Sequence, residues 1–310
     1  MKLRRRIASR DFTADMMPQT RKAVFIDVLK LHWSTFLKMG LLLFVAYLPV
    51  LCTGFLQNVY EIRALGDLGG NATPEDVQKV LLDIVFLRSV SAIITTAFLT
   101  LFGVFLSGVL RVIRQFAWEE IVFFWRDIWT GIKQNKGQLA AIFAVIGMQN
   151  LVSIYLTGTG QVTADQSMSL LGTIFAGTSI LLFAPVWAFM CVQVSIYSNS
   201  FWQNMKLGFA VYAKSIVKTI LTLAVLALPW IISLIPNVWY QLIGQVVGVF
   251  LLPIALLAWF LYAFNLLDQH INPAFFPEII GKGLYKAELT TEETLRKKEI
   301  NNNEKEDPCD

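Results

Sequence analysis

Apolar positions gather in six long stretches along the chain, at 39–59, 89–110, 139–156, 170–195, 219–235 and 242–267, and charge returns between them. About 20 helical residues rise about 30 Å, the thickness of a bilayer's hydrocarbon core. The stretches are therefore long enough to cross it, the third and fifth only narrowly. The pattern predicts an all-α fold: a polytopic membrane helical bundle with six transmembrane helices. These would form one integral membrane domain over residues 1–284. Residues 285–310 are polar and charged, so they are expected to form a disordered tail.

Composition sharpens this reading. The chain of 310 residues is 55% hydrophobic and 15% charged, with a mean hydropathy of +0.57. Soluble domains carry about 25% charged residues, because a water-facing surface needs them. A surface this poor in charge has lipid as its natural solvent, where only structures that satisfy their own backbone hydrogen bonds persist.

Charge then orients the chain. Segment 1–38 carries nine Lys and Arg residues, 111–138 five, 196–218 three and 268–310 six, while 60–88 carries three and the remaining connections none. The positive-inside rule places both termini in the cytoplasm. The basic start at Lys2 and Arg4 is followed by polar residues, so a cleavable signal peptide is not expected, and the first apolar run would serve as an insertion signal.

The segment 119–136 has helical spacing of its own. Glu119, Arg126, Thr130 and Lys133 fall on one side, and Ile121, Phe124, Trp125, Ile128 and Ile132 on the other. Such an amphipathic helix either lies at the headgroup level or packs against the bundle, since both bury the same face. Residues 124–132 align with 201–209 at an offset of 77, as Phe-Trp-x-x-x-x-x-Gly in each. A fainter third copy is suggested by Lys38 and Pro49, which precede Lys218 and Pro229 by 180 positions. The expected plan is about three repeated hairpins in one topological sense, each led by a cytoplasmic amphipathic helix.

These same residues carry a family resemblance. The run 103–109 with its two glycines, then Arg111 and Arg114, then 124–135 resembles the YesL-like family of bacterial integral membrane proteins. So do Asp268, Asn272, Pro273, Phe276, Pro277, Gly281 and Gly283 near the end. Val104 stands where that family usually has proline, and Ile128 where it has an aromatic residue. The family has no assigned activity. Its association with sugar-uptake and glycan-degradation genes implies a supporting role in a bacterial cytoplasmic membrane, with a sugar transporter or sensor as partner.

Candidate chemistry is sparse. Cys52, Cys191 and Cys309 show no metal or disulfide spacing, and His32 and His270 belong to no ligand pattern. Phosphate-loop, nucleophile-elbow and zinc-protease motifs are absent, so no enzyme, cofactor or catalytic residue is expected. The basic residues flank membrane stretches, where topology explains them without nucleic acid. The polar set offered for partner docking or structure is Arg111, Arg114, Glu119, Glu120, Arg126, Asp127, Gly131, Lys133 and Asn135. Neutral groups within the stretches, Gln149, Asn150, Gln193, Gln245 and Asn265, are expected to bond between helices. A path for a small solute, as in a channel or carrier, is the alternative reading.

Overall fold

The computed structural model describes residues 18–68, 73–235 and 237–284, and among these residues every regular element is helical. Five helices are long and apolar enough to cross a membrane: α1 (Arg21–Gly66), α2 (Pro74–Ala117), α3 (Phe124–Thr163), the run from α4 (Gln166–Thr178) through α5 (Ala184–Ile196), and α8 (Val238–His270). The tail 285–310 lies outside the described residues, as does the basic start of the chain.

Antiparallel packing follows from cross-helix contacts. Along α1 and α8, Arg21 meets Asp268 at one end, Tyr47 meets Gln245 midway, and Asn58 meets Gln241 at the other. Helices α2 and α3 approach closely through glycines. A side chain at Gly108 would meet the Ile128 carbonyl at 2.7 Å, one at Gly131 would meet Arg111 Cβ at 2.8 Å, and one at Gly147 would meet Thr96. Small residues let backbones approach where lipid offers no hydrophobic drive for helix association. The end with Arg21, Arg111, Arg114 and Lys282 is called the basic end here, and the opposite one the far end.

The fourth and fifth stretches are not plain helices. Between α4 and α5 lies a π-turn, Ser179–Phe183, with Ala184 between it and Pro185. Proline has no N–H to return to residue i−4, and its ring crowds that carbonyl, so the helix widens here. The fifth stretch is preceded by α6 (Phe201–Lys214), which turns by 100° into α7 (Ile216–Leu226) at Ser215. The 3₁₀ segment Leu228–Leu234, opened by Pro229, completes the passage to the far end. Gly244 and Gly248 of α8 receive it, with Ser233 and Trp230 seated against them.

Exposed aromatics mark two levels. Trp33, Trp125, Trp129 and Trp202 lie exposed near the basic end, and Tyr60, Tyr155, Trp239 and Tyr240 near the far end. At 1.5 Å per residue, Trp33 and Tyr60 stand about 40 Å apart along α1, and Trp129 and Tyr155 about 39 Å along α3. That separation matches a bilayer measured to its interfaces, where Trp and Tyr concentrate.

The amphipathic segment differs from its expected form. Residues 119–123 lie outside any helix, and Glu119 takes a left-handed φ of 57°. The helix starts at Phe124 and runs unbroken into the third apolar stretch as α3. Its Asp127–Ile128–Gly131–Ile132 face packs against α2, while Trp125 and Trp129 point outward. One face of this segment therefore packs against the bundle, while the opposite face is exposed. The first turns of α1 are set off from the rest only by non-helical dihedrals at His32, whose ring stacks on Phe116 at 4.4 Å.

Candidate functional site at the basic end

The nine candidate residues separate into two groups. Asp127 is buried, and its carboxylate accepts from the backbone N–H of Phe123 at 2.6 Å, which caps the start of α3. Gly131 is buried at a close approach of α3 to α2, and Ser107 Oγ donates toward its carbonyl at 3.4 Å. Arg111 reaches from α2 to Gln134 on α3. Arg114 donates to the Ser195 carbonyl at 2.7 Å, tying α2 to the end of α5, and its guanidinium lies 5.0 Å from the Trp118 ring. Three of the nine, Gly131, Arg111 and Arg114, therefore hold α2 to its neighbours, and Asp127 fixes the start of α3.

Glu119, Glu120, Arg126 and Lys133 are exposed, and Asn135 is half-buried. Arg126 lies over the Phe123 ring at 4.2 Å and 3.7 Å from Asp127. Glu120 faces Lys282 at 3.8 Å. Partial burial, followed by the neighbouring Asp27 carboxylate, pushes Glu119 above the usual carboxylate range. These charges, with exposed Ile121 and Phe123, border the loop 118–123.

A connected latch at this end was not foreseen as such. Asp268 on α8 accepts from Arg21 at 2.8 Å, from Asn272 at 2.7 Å and from the Gly281 N–H at 3.3 Å. Arg21 also donates to the Lys282 carbonyl at 2.6 Å, and Tyr197 donates to Asn272. Burial, then the Asp268 charge, raises the Tyr197 phenol well above its ordinary range. Gly283 adopts φ 76°, and a side chain there would strike the Ala117 carbonyl at 1.9 Å. The segment 272–284 thus folds back across the ends of α1, α2, α5 and α8. Spacing gives no sign of this latch, because one carboxylate 247 positions from its arginine has no local signature.

The membrane-depth amides mostly bond as expected. Gln149 accepts from Trp187 Nε1 at 3.2 Å, and Gln245 from Tyr47. In the orientation that satisfies its neighbours, the Gln193 amide donates to the Asn204 carbonyl at 2.7 Å and accepts from the Gly208 N–H at 3.3 Å. Asn265 is exposed in a groove beside Arg21 and Lys22. Among the described residues, no three His, Cys, Asp or Glu side chains gather as metal ligands.

Comparison of the chain with known protein families, curated proteins and solved structures finds no match in any of the three.

Proposed function

We propose that this chain is a non-enzymatic membrane protein whose basic end faces the cytoplasm and docks a partner, a sugar transporter or sensor, through the loop 118–123 and the first turns of α3. The observation that carries the docking surface is the pairing of exposed charges at Glu119, Glu120, Arg126 and Lys133 with a rigid foundation of Asp127, Gly131, Arg111 and Arg114. A surface held by buried contacts loses little entropy on docking. The identity of the partner rests on the YesL-like resemblance, as does the bacterial cytoplasmic membrane.

The three-unit plan belongs to the same reading. Asp127, Asn204 and Val24 are buried at matching places, as are Gly131, Gly208 and Val28, and this supports descent of the three lead-in helices from one repeat. Affinity purification of the full chain from native membranes tests the function. Co-purification of a transporter or sensor, lost on the double change Glu120→Lys with Lys133→Glu, is expected. A deletion strain with unaltered sugar uptake and no such partner would refute the reading.

A small-solute channel or carrier is the second reading. It is favoured by a pocket of about 230 Å³ near the far end, where Tyr47, Asn58, Gln241 and Gln245 gather. Sugar or osmolyte flux into liposomes holding the purified chain would establish it, and none across a panel of solutes would remove it.

A further inference from the structure

A second and larger cavity, about 570 Å³, lies between α2, α3, α5, α7 and α8, within the range of small-molecule sites. Phe102, Phe143, Leu256 and three tryptophans, Trp187, Trp230 and Trp259, form much of its wall. None of its lining residues is ionisable at neutral pH. Water gains little in such a space, since it needs two to four polar partners and an apolar void stays dry.

Two features set the chemistry of an occupant. The first is the mouth. Ile180 lines the cavity and is 68% exposed, and it sits in the π-turn partway along a membrane-length run. The opening therefore faces sideways, toward acyl chains. The second is a polar patch toward the far end, where Gln149, Asn150, Ser153 and Ser179 meet the cavity. The amide nitrogen of Gln149 remains available to donate when its oxygen accepts from Trp187. Ser179 Oγ is buried and has no hydrogen-bond partner among the described residues, whereas the neighbouring Thr178 hydroxyl returns to the Ile174 carbonyl. Asn150 lies about 8 Å along α3 from the aromatic level at Tyr155, and Trp259 lies about 30 Å along α8 from Trp239. The space is thus polar near one interface and apolar in depth.

We propose that this cavity binds one chain of a membrane lipid. The hydrocarbon tail enters past Ile180 and runs toward Trp259. A neutral oxygen-bearing group, an ester or a hydroxyl, is held by Gln149 and Asn150, with the Ser179 hydroxyl joining them on turning about its Cα–Cβ bond. A charged headgroup has no counter-charge in the lining and stays outside. This site is separate from the docking surface at the basic end and does not depend on it.

The full chain, purified in detergent and released in a native mass spectrometer, is expected to retain about one lipid, whose mass separates an acyl ester from an isoprenoid lipid. Ala255→Phe, which places a ring in the path of the tail, should lower retention at least tenfold while elution and melting stay as in the wild type. In the unaltered chain, a phospholipid with a photoreactive group at the end of its acyl chain should label Leu256 and Trp259. Equal retention by the wild type and a folded Ala255→Phe variant would overturn the proposal. So would labelling confined to outward residues such as Ile243 and Leu251. Should the variant fail to fold, the labelling map decides by itself.

Discussion

The hydroxyl of Tyr212 donates to the carbonyl of Leu181 at 2.6 Å, and Leu181 is the residue four positions before Pro185. This is the carbonyl that the proline leaves without its helical N–H. A side chain on α6 thus repairs a break in the neighbouring run, at a depth where water is scarce. The bond also ties the lead-in of the fifth stretch to the π-turn that shapes the mouth of the larger cavity.

Tyr212→Phe removes the donor and takes this partner from the carbonyl, which stands partway along a membrane-length run. An unsatisfied group of this kind costs about 1–3 kcal/mol, and in lipid there is no water to relieve it. Thermal unfolding of the purified variant in detergent should show that loss. A melting point equal to that of the wild type would mean that the carbonyl finds other relief.

Arg21 and Asp268 are each largely buried, with side chains 10% and 12% exposed. Asp268→Ala should destabilise the chain by about 3 kcal/mol, because the charge left behind on Arg21 is uncompensated. Arg21→Met should do less harm, since Asn272 and Gly281 still donate to Asp268. Unfolding measurements that reverse this order would show that the latch is organised around the arginine.

Gly131→Ala and Gly137→Ala are expected to move in opposite directions. A Cβ at Gly131 meets Arg111 Cβ at 2.8 Å and Gly108 Cα at 2.9 Å, so overpacking should cost about 1–3 kcal/mol. One at Gly137 meets nothing within 4 Å, and alanine there should stabilise α3 by up to about 1 kcal/mol. Paired melting curves check both at once.

Glu119 combines a left-handed backbone with a carboxyl held above its ordinary range. Its folded state binds the proton more tightly than the unfolded chain does. Stability from this group is therefore present at acid pH and is lost as pH rises above the unfolded carboxylate value. Glu119→Gln should gain in melting point over the wild type as pH is raised from 4 to 8. Glu119→Gly should add a pH-independent gain of about 1 kcal/mol from relieved backbone strain. A wild type that gains on Glu119→Gln with rising pH contradicts the assignment.

Cysteines placed at Lys133 and Lys79, both exposed and at opposite ends of the bundle, should react with a membrane-impermeant maleimide from opposite sides of sealed vesicles. The orientation with the basic end inward labels Lys79→Cys in intact cells and Lys133→Cys only after permeabilisation. Labelling of both from one side would end the membrane reading.

Much of the fold was legible in sequence because a membrane helix declares itself locally. Twenty apolar residues in succession need no knowledge of their neighbours to be read as a span, and five of the six stretches lie in long helices or a helical run. Asp127 and Gly131 could be picked from spacing alone, but whether they docked a partner or packed a neighbour could not. Their roles depend on α2 passing at contact distance, which is a property of two helices together.

What the residue order determined by itself is the solvent of this protein: long apolar runs, little charge and bases at one set of connections point to a lipid bilayer. Only the tertiary structure decided where those runs break and what they enclose. The latch from Arg21 to Asp268 and the cavity behind Ile180 arise from contacts between distant segments, and the π-turn before Pro185 and the 100° turn at Ser215 show only in the folded chain. Hydropathy is a sum over neighbours in sequence, while a hydrogen bond or a void depends on neighbours in space.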